Sequence, residues 1–204
     1  MQKDTIAIHT GYDKKSGNGE MAIPISQTTA YAFRDSEHAA NLFALKELGP
    51  IYTRLNNPTN DILEQRFAQL ENGAAALVTA SGASAIFYSI ANIAEAGDNI
   101  LISDKLYGGS VTLFHFTLKR FGISVKTFKS DDASDLESLV DDKTKGIFFE
   151  SLSNPQIAIP AIEKIVEVGK KYGIITICDN TVATARLFNP ISWGVDISVH
   201  STSK

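Results

Sequence analysis

A single cysteine, a single tryptophan, two methionines and six prolines stand in this sequence of 204 residues. The lone Cys178 excludes an intramolecular disulfide and a cysteine-built metal site, and it fits a reducing compartment. A basic excess is lacking as well: 19 Lys and Arg against 23 Asp and Glu leave a net charge of −4. With no basic stripe to neutralise phosphates, a nucleic-acid partner is not expected. Long apolar runs are missing too. Nothing approaches the ~20 residues that span a bilayer, and "MQKDTIAIHTGYDKKSGNGE" carries no apolar signal-peptide core. The expectation is a cytoplasmic protein with no membrane partner. His9, His38 and His115 are scattered without paired spacing, so no metal site is expected.

What is present is an ordinary globular composition, 44% hydrophobic and 21% charged. Residues 1–58 have weak periodicity and many turn residues, including "KKSGNGE" at 14–20 and "NNP" at 56–58. They read as an extended arm with one short helix around "SEHAANLFALKEL", capped by Ser36. From Thr59 the pattern becomes regular. "TNDILEQRFAQLENG" is helical and stops at Gly73, "AALVTA" reads as a strand, and "SGASAIFYSIANIAEAG" as a helix closed by Gly97. The alternation continues through the strands "NILIS", "ISVKTF", "KGIFFES", "IITICD" and "DISVH". Between them come "SVTLFHFTLKRFG", "SDLESLV" and "AIEKIVEVGKKYG" as helices. The second of these opens on a capping box of Ser134 and Glu137. Such alternation predicts an α/β fold with a mostly parallel sheet and helices on both faces. The domain reading is an arm over 1–58 and a large α/β domain over 59–204.

Ligands of open α/β sheets sit at the carboxyl ends of the strands. The loops at those ends hold nearly all the candidate chemistry. In "TASGASAI", the small residues Gly82 and Ala83 at a helix start let N–H groups approach an anion. A tight turn with Ser81 as N-cap explains them equally well. "TASGASAI" is neither G-x-S-x-G nor a dinucleotide or Walker fingerprint, which excludes a nucleophile elbow and leaves an NAD enzyme as a fold analogy only. In "CDNT", Asp179 ends a buried strand, where a carboxylate needs a partner. A pyridinium nitrogen is one such partner, and a local turn is the other reading. "STSK" offers the hydroxyls of Ser201 and Ser203 and an amine, Lys204, able to form a Schiff base. Tyr107 in "LYGG" can stack on a heteroaromatic ring. Cys178 reads as core, His200 as packing, and Lys105 as a solvated loop charge.

"YTRLNNPTNDILEQRFAQLENG", "TASGASAI", "DKLYGGS", "ESLSNP", "CDNT" and "SVHSTSK" resemble, in order and spacing, the Cys/Met-metabolism family of pyridoxal-phosphate enzymes. "EHAANLFALKELGPIYTRLNNPTND" is most similar to its O-acetylhomoserine sulfhydrylase branch. The resemblance implies fold type I and pyridoxal 5'-phosphate as cofactor. It implies that Lys204 is the Schiff-base and catalytic lysine, that Asp179 pairs with the ring nitrogen, and that Tyr107 stacks on the ring and assists the leaving group. Gly82, Ala83, Ser201 and Ser203 would hold the phosphate. Asn154 would contact the substrate carboxylate or the cofactor's phenolic oxygen. Tyr52 and Arg54 would reach the phosphate of a neighbouring subunit, with Tyr52 also near the substrate. A homo-oligomer built from active-site dimers follows from that last role, and a dimer of such dimers is the expected form.

Ala83 departs from the methionine or glutamine common in the family, a change that leaves a backbone contact intact. Members of the family are about twice as long, so the expectation is a chain cut at its cofactor lysine, lacking a small C-terminal domain. The implied reaction is γ-replacement on O-acetylhomoserine by sulfide or a thiol, giving homocysteine or methionine plus acetate. The rival readings are a cystathionine γ-synthase or a γ-lyase, and, from another class, a non-catalytic fragment acting only through an oligomer interface.

Overall fold

The computed structural model describes residues 2–15 and 19–204, so Ser16 to Asn18 of the turn expected at 14–20 lie outside the described residues. The chain divides into two compact units, Met1–Gln69 with Ala74–Val78, and Leu70–Gly73 with Thr79–Lys204.

The first unit contains α1 (Lys3–His9) and α2 (Ser36–Phe43), and α3 (Pro58–Glu71) starts within it. The weakly patterned α1 was not expected from the sequence. Gly11 follows it at a positive φ, against α3, where a Cβ would stand 2.6 Å from the Ile62 carbonyl oxygen. The cap of α2 is Asp35 rather than Ser36: its carboxylate accepts the His38 N–H at 2.7 Å. A carboxylate at this position also favours the positive end of the helix dipole. Proline opens α3, where its missing N–H costs nothing. "AALVTA" does not form the expected strand. Its apolar run has no ladder partner among the described residues, the Val78 N–H goes to the Glu64 carboxylate at 2.8 Å, and Leu77 is exposed.

In the second unit α4 (Gly82–Ala91) precedes β1 (Asn99–Ser103). A helical run follows: α5 (Gly108–Thr112), a π turn over Leu113–Thr117 and a 3-10 turn over Leu118–Phe121. Gly122, in the left-handed region, ends it. Then come β2 (Ser124–Phe128), α6 (Leu136–Leu139), β3 (Thr144–Glu150), α7 (Ile162–Tyr172), β4 (Ile175–Asp179), α8 (Thr184–Leu187) and β5 (Ile197–Val199). The expected Ser134 capping box does not form. Asp132 takes the Ser134 N–H at 3.0 Å, and Glu137 turns to Lys171 and Tyr172.

All strand pairs are parallel, in the order β2-β1-β3-β4-β5. Period-two alternation sends Ile100 and Ile102 to one face of β1 and Leu101 to the other, so both faces are apolar. On one face Ile86 and Ile90 of α4 pack with Phe114, Leu118, Phe148 and Ile177. On the other, Leu136 of α6 and Ile165, Val166 and Val168 of α7 pack on Phe149, Ile147 and Cys178. Burying each such side chain contributes about 1.5–3 kcal/mol. Phe148→Ala, at a fully buried position, would cost about 3–5 kcal/mol. The winding reverses between β1 and β3, and that switch opens a crevice at their carboxyl ends.

Candidate active site at the strand ends

Tyr107 and Glu150 meet at that switch. The loop after β1 brings the Tyr107 N–H to Glu150 Oε1 at 2.6 Å, and the loop after β3 returns the Asn154 N–H to Glu150 Oε2 at 3.1 Å. One buried carboxylate therefore ties together the loops bearing two of the expected site residues. The Tyr107 ring itself is exposed and lies over Gly109, where a Cβ would stand 2.5 Å from the ring. Gly109 leaves room for the ring to lie this way. Burial pushes the Glu150 carboxyl above the usual glutamate range; the two N–H bonds oppose this and the neighbouring charge of Asp179 adds to it.

Asp179 ends β4 directly opposite Glu150 in the ladder. Its Oδ1 accepts the Thr181 N–H at 2.9 Å, and Thr181 Oγ1 accepts the Ser201 N–H at 2.9 Å. A short chain of bonds thus links the carboxylate after β4 to the loop after β5. The adjacent Cys178 is fully buried core, as expected, and burial first, then the charges of Asp179 and Glu71, raise its thiol pKa well above normal.

Ser201 also closes on α4. A Cβ at Gly82 would stand 2.8 Å from Ser201 Cβ and 3.3 Å from its Oγ. Ser81 caps the helix, its Oγ accepting the Ser84 N–H at 3.1 Å, and the Ala85 N–H bonds the Ser81 carbonyl. The N–H groups of Gly82 and Ala83 fall in the first helical turn, which has no intrahelical acceptor for them. Two backbone donors and a hydroxyl so converge at the positive end of a helix, a donor set that fits a phosphate ester. Of the two readings of "TASGASAI", the N-cap is what the structure shows at Ser81, and it leaves the N–H groups of Gly82 and Ala83 without an intrahelical acceptor. Ser203 and Lys204 follow in an exposed turn in which the Lys204 N–H donates to the Ser201 carbonyl at 3.3 Å.

Tyr52 and Arg54 belong to the first unit. Tyr52 bridges antiparallel to Ala30, and the Arg54 guanidinium lies 5.2 Å from the Tyr52 ring centroid. Lys105, read as a solvated charge, pairs with Asp131 instead. His200 is no simple packing residue: its Nε2 contacts the buried carboxylate of Glu71. Sequence reasoning gave no role to Glu71 or to Glu150. A carboxylate ending the apolar run "KGIFFE" was the signal available for Glu150. Glu71 had none, because a Glu near a helix end is ordinarily solvated. Among the described residues no helix is long and apolar enough to cross a membrane.

The chain is 43% identical over 202 residues to a homocysteine synthase of Schizosaccharomyces pombe, covering 98% of this chain and 47% of that protein. It is 44% identical over 201 residues to an O-acetyl-L-homoserine sulfhydrylase of Leptospira meyeri, covering 98% and 46%. Among solved structures, a Campylobacter jejuni protein assigned as an O-acetylhomoserine (thiol)-lyase superposes with a TM-score of 0.96 at 51% identity, covering 100% of this chain and 50% of that one. That crystal structure carries a pyridoxyl-lysine phosphate. A cystathionine γ-lyase of Lactobacillus plantarum, complexed with L-serine, gives 0.90 at 30% identity, covering 100% and 51%. The chain spans about half the length of these relatives. Its sheet is that of the fold type I enzymes among them, as the α/β pattern predicts. The sequence pattern of the Cys/Met metabolism PLP-dependent enzymes matches residues 4–204, and the chain belongs to that family.

Proposed function

We propose that the protein carries out γ-replacement on O-acetylhomoserine, with sulfide or a thiol as the incoming group and homocysteine or methionine plus acetate as products. The single observation that carries this reading is the convergence at the strand ends. The Gly82–Ser201 cradle, the Asp179 carboxylate held by Thr181, and Lys204 after β5 stand on neighbouring ends of one parallel sheet. Names of relatives support the substrate: both the Leptospira meyeri and Campylobacter jejuni proteins are named for O-acetylhomoserine.

Pyridoxal 5'-phosphate, when bound, supplies an electron sink that makes the protons at the substrate's α and β carbons removable. The chain's own residues do the rest. Gly82 and Ala83 N–H groups with the Ser201 and Ser203 hydroxyls hold the phosphate. Asp179 keeps its Oδ2 for the ring nitrogen, because Oδ1 is committed to the Thr181 N–H. Tyr107 covers a ring face and stands by the leaving acyl group. The Lys204 amine holds the cofactor covalently and moves protons at the substrate α carbon. Asn154 orients the substrate carboxylate. Tyr52 and Arg54 complete the phosphate site of a neighbouring subunit, which makes the working unit a dimer, and we propose that such dimers pair into a tetramer. We place the enzyme in the cytoplasm, where the buried Cys178 stays reduced.

The test is to supply the full chain with pyridoxal phosphate, O-acetylhomoserine and sulfide and to measure homocysteine and acetate. Equal release of both, abolished in Lys204→Ala, is the expected result. Cofactor binding with release of ammonia and no homocysteine would instead assign γ-elimination.

A further inference from the structure

Glu71 lies near the end of α3, at 5% exposure, and its carboxylate gathers four donors. Asn180 Nδ2 donates at 3.0 Å, Ser198 Oγ at 3.1 Å and Asn189 Nδ2 at 3.3 Å, and His200 Nε2 makes a short contact with Oε1. Three of these contacts fall on Oε1 and one on Oε2, and an ionised carboxylate, an acceptor at both oxygens and a donor at neither, suits them. The positions of the donors matter more than their number. Asn180 directly follows Asp179, and His200 directly precedes Ser201. Asn180 is itself fixed on its other side, Oδ1 accepting from Ser151 Oγ at 2.8 Å and its N–H donating to the Val199 carbonyl at 2.8 Å. Glu71 thus bonds residues at the ends of both strands, next to Asp179 on one and to Ser201 on the other.

We propose that Glu71, acting through Asn180 and His200, is a positioning residue that sets the spacing between Asp179 and the Ser201–Lys204 loop. This rests on the reading that these residues hold pyridoxal phosphate. Without the Glu71 bonds, the Thr181 bonds and the Asn180 N–H to the Val199 carbonyl are left to join the two loops, and Asp179 and Lys204 must address opposite ends of one rigid ring. The hydrogen bonds are the stabilising partners a buried anion requires. Burial raises the Glu71 pKa, but the bonds from His200, Asn180 and Asn189 outweigh it and the net shift is downward. The carboxylate therefore stays charged at neutral pH.

The test uses the full chain and three readouts: the pyridoxal phosphate dissociation constant, the absorption band of the bound cofactor, and the thermal midpoint of the cofactor-free protein. Glu71→Gln keeps the shape but brings an NH2 against other donors. Its dissociation constant should rise about tenfold or more and its band should move, with Glu71→Asp restoring part of both. His200→Asn should behave alike, and the double variant should be no weaker than either alone. Lowered thermal stability with an unchanged dissociation constant and band would overturn the proposal, leaving Glu71 a structural residue. Should Glu71→Gln fail to fold, His200→Asn decides by the same criteria. A wild-type chain that binds no pyridoxal phosphate would overturn the proposed function and this inference together. Normal wild-type binding with unaltered variants would sink the inference alone.

Discussion

Glu150 and Asp179 stand opposite one another as the last residues of β3 and β4, two carboxylates on neighbouring strand ends. Burial, with Asp179 adding to it, raises the Glu150 pKa. Below the ordinary glutamate range both folded and unfolded chains carry the proton and this group contributes in full. As pH rises, the unfolded chain releases its proton first, and the contribution is lost through the folded pKa. Thermal midpoints measured from about pH 4 to about pH 8 should therefore carry a falling component that Glu150→Gln removes. The variant has one acceptor oxygen for two N–H donors, so it should also start about 1–3 kcal/mol less stable. An identical pH profile for both proteins would refute the assignment.

Glu71 carries the opposite sign. Its pKa is lowered in the folded chain, so its contribution is present above the unfolded value and is lost as pH falls through the folded one. Acid unfolding of Glu71→Gln should start from lower stability and show a weaker dependence on pH in that range. Equal acid profiles would mean the carboxylate is not held charged by its four donors.

Gly82→Ala places a methyl group against Ser201, 2.8 Å from its Cβ. The serine or the helix start must shift, and phosphate affinity should fall with it. Adding Ser201→Gly should restore the thermal midpoint but not cofactor affinity, since the hydroxyl goes too. Cofactor titration of the single and double variants checks this; recovered affinity in the double variant would remove Ser201 from the cradle.

Asp179→Asn keeps an oxygen for the Thr181 N–H and loses the charge for the ring nitrogen. A charge-assisted bond is worth about 1.5–3 kcal/mol, so cofactor affinity should fall roughly 10–100-fold with the fold intact. Far-ultraviolet circular dichroism beside the titration separates the two effects. An unchanged dissociation constant would mean that Asp179 serves only its local turn.

The parallel sheet was legible because apolar runs of β length alternate with amphipathic segments, and the placing of function at strand ends follows from topology alone. Asp179 taken alone reads as readily as part of a local turn, and what singles out Asp179 and Lys204 in the sequence is the order and spacing of six family motifs. The failures have local causes. "AALVTA" has strand composition, but a strand exists only with a ladder partner, and composition says nothing of one. Ser134 and Glu137 have capping-box spacing, yet Asp132 and Lys171 compete for the same groups and win on charge. Glu71 was invisible because its significance lies in four donors contributed by residues more than a hundred positions away.

The most direct test of the central claim is borohydride reduction of the full chain loaded with pyridoxal phosphate, followed by mapping of the modified peptide. The account predicts a phosphopyridoxyl group on Lys204 and none in Lys204→Ala. A stable adduct on another lysine, or no reducible adduct in a chain that binds the cofactor, would contradict it.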